Sequence, residues 1–234
     1  MGKERASIGA GARDGDAIAK AHAIYTPVML SFYDLLVHGL SNRFAWRCPT
    51  QKLIELYRDA LSPNHLEAGV GTGFFIDRAG KAAFERLVLL DINRHCLETA
   101  GRGLARFKPE LWEASLLEPI PYGAAPFDSV GLTYVLHCLP GSMVEKLEVI
   151  DHLQPLMAKR AVLFGATILG RGIAPNAAAR ALLALYNAKG VFNNLVDDEA
   201  ALRDGLRQRF DDVQIERHGL VALFRARNLV HDGA

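Results

Sequence analysis

Two short stretches carry residue types that could hold a nucleotide-like ligand. The first is His65-Leu66-Glu67-Ala68-Gly69-Val70-Gly71-Thr72-Gly73, an acid two residues ahead of three alternating glycines. Glycine has no Cβ, so such a loop turns sharply and lets a ligand approach its peptide groups. Phe74 to Ala79 behind it reads as the opening of a helix, whose unpaired N–H groups and positive dipole end suit an anionic or polar ligand. The second stretch is Leu87-Val88-Leu89-Leu90-Asp91, an apolar run that ends on an acid. Asp91 lies about 20 residues past the glycines, the separation at which a strand–helix–strand unit delivers a carboxylate to ribose hydroxyls. Together the two stretches predict an adenosine-containing cofactor on a doubly wound sheet.

Glycine spacing then selects among such cofactors. The dinucleotide fingerprint Gly-x-Gly-x-x-Gly needs its third glycine where this chain has Phe74. Glu-x-Gly-x-Gly-x-Gly instead resembles the first motif of the class I S-adenosylmethionine-dependent methyltransferases. The resemblance runs from about Ile24 to Arg227. It includes Asp91, a third-strand segment Ala114-Ser115-Leu116-Leu117-Glu118-Pro119, and Phe127-Asp128-Ser129-Val130 leading into a fourth strand. It is closest to the small-molecule branch that acts on secondary metabolites and quinone-like compounds. What it implies is a cofactor S-adenosylmethionine, with S-adenosylhomocysteine as product, and methyl transfer to an O, N or C atom of a small aromatic or apolar acceptor. An NAD(P)-dependent oxidoreductase and a non-catalytic cofactor-binding scaffold of the same fold are the alternatives.

The resemblance also implies roles for individual residues. Gly69, Val70, Gly71 and Gly73 would pass under the methionine and ribose portions of the cofactor. Asp91, with Ile92 beside it, would accept from both ribose hydroxyls, and Thr133 would touch the cofactor from the fourth strand. Glu67 would either meet the cofactor's amino group or steady the loop. Many relatives place an aspartate after the third strand for the adenine amine. Here that position is Ser115, followed by Leu116, whose N–H would face a ring nitrogen; Glu113 is a rival. Thr133-Tyr134-Val135-Leu136-His137-Cys138-Leu139-Pro140 borders the substrate mouth. His137 within it is expected to act as a base, since imidazole titrates near neutral pH, or to position the acceptor. Tyr25, Tyr33, Tyr134, Tyr186 and Phe192 are the expected acceptor walls. No Cys/His/Asp cluster has metal spacing, so no metal is expected.

The elements that position these residues follow from periodicity. Strands are predicted near 65–69, 87–91, 111–115, 127–134, 161–168, 212–217 and 220–226, with helices near 73–83, 93–105, 142–157 and 198–209. Only Arg217-His218-Gly219 joins the last two strands, which is too short for a parallel crossover and demands an antiparallel hairpin. The fold class is therefore α/β: a doubly wound, seven-stranded, mostly parallel sheet with a C-terminal hairpin. Residues 1–15 read as a tail rich in Gly, Ala and charge. Residues 16–62, including helical stretches at Asp16 to Leu40 and Thr50 to Ala60, read as an N-terminal helical lid outside the wound core. Residues 63–234 form the core, with a substrate-side insertion at about 170–195.

Composition excludes several classes. The 234 residues, half of them hydrophobic, suit one α/β domain. Lys plus Arg at 27 balances Asp plus Glu at 26, for a net charge of +1, so no nucleic-acid surface is expected. No run approaches the ~20 apolar residues of a membrane span, and Gly2 to Gly15 lacks the apolar centre of a signal peptide. Three widely spaced cysteines argue against a disulfide framework. The expected setting is the cytoplasm and the expected partner a small molecule.

Overall fold

The computed structural model describes residues 42, 44–81, 83–121 and 125–230. In chain order its elements are α1 (Thr50–Ala60), β1 (Asn64–Ala68), α2 (Phe74–Arg78), β2 (Arg86–Asp91), α3 (Arg94–Gly103), β3 (Glu110–Glu113), β4 (Phe127–Thr133), α4 (Met143–Lys146), α5 (Glu148–Leu153), β5 (Met157–Ile168), α6 (Ala177–Ala188), α7 (Glu199–Arg207), β6 (Phe210–His218) and β7 (Val221–Leu229). The seven strands form one sheet in the order β3-β2-β1-β4-β5-β7-β6. β1 pairs in parallel with β2 and β4, and β2–β3 and β4–β5 are also parallel. β7 runs antiparallel to both β5 and β6. Strand order reverses between β1 and β4, the switch point outside which ligands sit in open α/β sheets.

The inner strands are near-continuous apolar runs because helices cover both of their faces. Along β2, Leu87 and Leu89 join one buried layer while Val88 and Leu90 join the other. The first layer takes Leu53, Leu56 and Tyr57 from α1, Phe75 and Ile76 from α2, Leu97 and Ala100 from α3, and Leu183 from α6. The second takes Leu147, Val149, Ile150 and Leu153 around α4 and α5, with Leu202 and Leu206 from α7.

Several boundaries differ from the sequence expectations, each for a local reason. α1 is not an appendage: Leu53, Leu56 and Tyr57 are buried against the sheet, and the Leu220 N–H donates 2.9 Å to the Trp46 carbonyl at the hairpin turn. Residues 16–41 and 43 of the expected lid lie outside the described residues. α2 stops at Arg78, well short of residue 83, because Gly80 takes a left-handed φ of 73°. The helix expected over 142–157 breaks into α4 and α5 at Leu147, with a Ser142/Glu145 capping box at its start and a 3₁₀ turn holding Pro155 at its end. β5 begins at Met157 rather than near 161, and its register against β4 shifts between Phe127 and Ser129.

The insertion is strapped to the second layer by a buried ion pair. Lys146 Nζ donates to Asp197 Oδ2 at 2.6 Å, with both side chains 0% exposed, and also to the Asn193 carbonyl. Burial pushes the Asp197 carboxyl upward, and Lys146 opposes that shift. Removing one partner of such a pair leaves an uncompensated buried charge. Lys146→Met should therefore cost about 3–5 kcal/mol in urea unfolding. Lys146→Met combined with Asp197→Leu should recover most of that loss, since apolar replacement of a whole buried pair is often neutral.

Candidate active site

Three glycines make the turn between β1 and α2, and each has its own reason. Gly69, Gly71 and Gly73 have φ of 75°, 55° and 78°, a region that favours glycine. A Cβ on Gly69 would stand 2.3 Å from Val135 Cγ2, and one on Gly73 would stand 2.8 Å from Leu104 Cδ1. Those two glycines are required by packing within the protein. A Cβ on Gly71 would meet nothing within 4 Å, so at this position the backbone faces open space. The loop is pinned from the β2 side. Gly69 N–H and Val70 N–H donate to the Leu90 carbonyl at 2.7 and 3.3 Å, and Gly71 N–H donates to Asp91 Oδ2 at 3.3 Å.

Asp91 ends β2 beside this loop. Its Oδ1 accepts from Asn93 N–H at 2.9 Å, while Asn93 itself caps α3 through His95 N–H. Ile92 is 39% exposed, an apolar side chain left uncovered next to the acid. Across the β2–β3 edge, Ser115 lies in the turn after β3, where its Oγ accepts from Leu117 N–H at 3.2 Å. Leu116 is buried, and His152 Nδ1 lies 2.8 Å from its carbonyl, fixing that peptide. The rival Glu113 is exposed and 3.9 Å from Arg94. Asp91, Ile92, Ser115 and Leu116 thus follow the carboxyl ends of neighbouring strands.

Glu67 is 4% exposed and already engaged. Oε1 accepts from the Tyr57 hydroxyl at 2.6 Å, and Oε2 is 2.9 Å from His65 Nε2. Gly131, its register partner on β4, makes room for it: a Cβ there would stand 2.3 Å from Oε2. Neither Tyr57 nor His65 was singled out by sequence reasoning. His65 had a visible signal, since it precedes Glu67 by two residues and so shares its strand face. Tyr57 had none, because only the packing of α1 brings it there.

Past β4, Thr133 is buried, and Tyr134 takes a φ of 61°, which costs a bulky residue of order 1–3 kcal/mol. The strain is held from both ends. Tyr134 N–H donates to the Ala166 carbonyl at 2.7 Å, and its hydroxyl donates to Asn42 Oδ1 at 2.9 Å. His137 follows in a 3₁₀ turn and packs edge-on against Phe192 at 4.5 Å, with Tyr186 4.9 Å beyond. Tyr25 and Tyr33 lie outside the described residues. His137 does not project into open space as a base must. It is 2% exposed, and its Nδ1 faces the Ile168 N–H at 3.4 Å. Burial, helped by Lys146, lowers its pKa to about 3, too weak a base for proton transfer at neutral pH. Among the described residues, no group of three or more His, Cys, Asp or Glu could hold a metal ion.

These features fit S-adenosylmethionine: space over Gly71, a carboxylate at Asp91 and an uncovered apolar side chain at Ile92. The terminal hairpin departs from the 3-2-1-4-5-6 strand order of dinucleotide-binding sheets. It defines a class I methyltransferase architecture. No family model matches the sequence. The chain is 35% identical over 223 residues to the methyltransferase aurB of Calcarisporium arbuscula, covering 88% of this chain and 96% of that protein. It is 35% identical over 210 residues to the demethylluteothin O-methyltransferase of Streptomyces thioluteus, covering 89% and 91%. Its fold is similar to that of the N-methyltransferase NodS of Bradyrhizobium japonicum WM9, solved with S-adenosylhomocysteine. That match has a TM-score of 0.56 and 18% identity over 76% of this chain and 84% of that one. The chain belongs to the class I S-adenosylmethionine-dependent methyltransferases; it is an enzyme, and its cofactor is S-adenosylmethionine.

Two outcomes test the geometry. Asp91→Ala should weaken S-adenosylhomocysteine binding by roughly tenfold or more in calorimetry. Because Asp91 also accepts from Gly71 and Asn93, the same change should cost about 1–2 kcal/mol of stability. Parental affinity in this variant would move the ribose elsewhere. The second outcome concerns His137, whose pKa falls from 6.5 unfolded to about 3 folded. The unfolded chain then takes up a proton that the folded chain refuses, so stability is lost as pH falls through that window. His137→Gln should flatten this part of the stability profile, and the parent's kcat/KM should show no histidine limb.

Proposed function

We propose that this enzyme methylates a hydroxyl oxygen of a small, largely apolar aromatic metabolite, and that the acceptor supplies its own acidity. The observation that carries this is an aromatic surround at the end of β4 that contains a histidine withheld from proton transfer. Phe75, Tyr134, His137, Phe192 and Tyr186 form a chain of ring contacts with centroids between 4.5 and 6.2 Å apart. Such rings make a wall for a flat apolar ligand. Kinship with an enzyme named for O-methylation supports oxygen as the acceptor atom. The near-zero net charge supports a small molecule over a nucleic acid.

Bound S-adenosylmethionine supplies a sulfonium methyl that is already a strong electrophile. The chain's own part is to hold the acceptor in line and to exclude water, and orientation alone is worth about 7–11 kcal/mol in well-aligned reactants. Tyr134, pinned at both ends, and Phe192, strapped through the Lys146–Asp197 pair, are rigid enough for that role. A base adds rate only where the acceptor must lose a proton. With His137 held at a pKa of about 3, the acceptor that fits is a phenol or enol acidic enough to ionise by itself.

The thiols of Cys48, Cys96 and Cys138 are unpaired, and burial pushes each up to about 12. Inert free thiols support a reducing, cytoplasmic setting and count against a cysteine nucleophile. Among the described residues, no helix is long and apolar enough to cross a membrane.

A panel of phenols graded in acidity, with labelled S-adenosylmethionine, tests the proposal. Methylation should occur at oxygen, with rates that rise with pH and level off at each acceptor's own pKa. Transfer to amines alone would sink it, and so would a pH limb that stays put as the acceptor is changed.

A further inference from the structure

β1 carries two polar side chains, His65 and Glu67, into an otherwise apolar layer. His65 is 0% exposed, and its ring stacks on Phe164 at 5.8 Å. Buried polar groups must be hydrogen-bonded, so every proton here can be followed from one end. The Ser62 hydroxyl donates to the Asn64 carbonyl at 2.7 Å. Ser62 Oγ is also 2.8 Å from Ser129 Oγ, so the hydrogen between the two hydroxyls belongs to Ser129. Ser129 Oγ accepts from Ser62 N–H at 2.9 Å and lies 2.8 Å from His65 Nδ1. With its one hydrogen committed to Ser62, it can only accept from His65. The Ser129 carbonyl, 3.1 Å from the same nitrogen, can likewise only accept. Nδ1 therefore carries a proton.

That leaves Nε2, 2.9 Å from Glu67 Oε2. Because Nδ1 is protonated, either Nε2–H donates to a carboxylate or a carboxyl O–H donates to Nε2. One proton occupies this line in both cases, and the pair is neutral in both. Tyr57 closes the arrangement by donating to Oε1. We infer that His65 is a positioning residue for the cofactor site, holding Glu67 by one shared proton beneath the entry of the glycine loop. The relay Ser62–Ser129–His65–Glu67–Tyr57 joins α1, β1 and β4 at the sheet's switch point. Each oxygen of Glu67 is engaged from within the protein, and these two ties set the end of β1. The inference rests on the assignment of the glycine loop to the cofactor.

Nitrogen-15 NMR of the histidine-labelled full chain tests the proton count directly, with His65→Gln used to assign the signal. His65 Nδ1 should be protonated and slow to exchange; an unprotonated Nδ1 overturns the inference. Binding of S-adenosylhomocysteine tests the role. In His65→Asn the amide replaces Nδ1 and loses Glu67, whereas in His65→Gln it replaces Nε2 and keeps it. Asn should weaken binding roughly tenfold, and Gln should stay within about threefold of the parent. Parental affinity in Asn, or equal losses in both, overturns the role. Should Asn fail to fold, Tyr57→Phe removes the other donor and should weaken binding several-fold; unchanged affinity there overturns it equally. Asp91→Ala is the control on the loop. Parental binding in that variant rejects the loop assignment, whereas weakened binding there beside parental binding in His65→Asn rejects the role of His65 alone.

Discussion

A carboxylate two residues ahead of a glycine loop has to be satisfied inside an apolar layer, and the arrangement around β1 follows from that. Glu67 is covered by α1 and flanked by β4, where water cannot solvate it. Its two oxygens take a tyrosine hydroxyl from α1 and the imidazole of His65. Gly131 on β4 leaves the volume that the carboxylate fills. Helix, strand and neighbouring strand thereby meet at one point, and that point is where strand order reverses. An ion or dipole that must find fixed partners resists sliding, so the polar cluster holds the register of β1 against β4 at the place where the glycine loop leaves the sheet.

The insertion is held in a different way. The insertion carrying α6 has few apolar anchors of its own: Ala179 and Leu183 are its buried helical residues. Polar ties do the rest. Asn194 donates to the Ile168 carbonyl and accepts from Asn187, and Asp197 is gripped by Lys146. These ties set the loop that presents Phe192 to His137. A buried histidine in such company is a structural filler whose lone pair faces a backbone N–H. The same burial that makes it a good wall makes it a poor base. On the proposed reading, chemistry at this site depends on placement and on the acceptor's own acidity.

The strained backbone at Tyr134 belongs to the same logic. A bulky residue in the left-handed region persists only where its surroundings hold it, and here β5 grips its N–H while its hydroxyl reaches Asn42. The chain thus turns away from β4 at a defined angle, with an aromatic ring at the corner between the glycine loop and the insertion. Rigidity at that corner is what an alignment-driven transfer requires.

Much of this could be read from residue types alone, because short-range constraints leave marks in the sequence. Alternating glycines, an acid at the end of an apolar run and a three-residue link between the last two strands each have few structural solutions. They determined the cofactor class, the sheet and its antiparallel ending. Gly71 and Asp91 stood out because a glycine in a turn and an acid at a strand's end are local features. Residue types did not reveal which of the three glycines faces open space, since that depends on Val135 and Leu104, far along the chain. Nor did they reveal that Tyr57 completes the shell of Glu67, or that α1 belongs to the core. His137 shows the divide most sharply. Its place after β4 suggested a positioning group or a base, but its protonation depends on burial and on Lys146, and its lone pair faces the Ile168 N–H, surroundings that only the folded chain brings together.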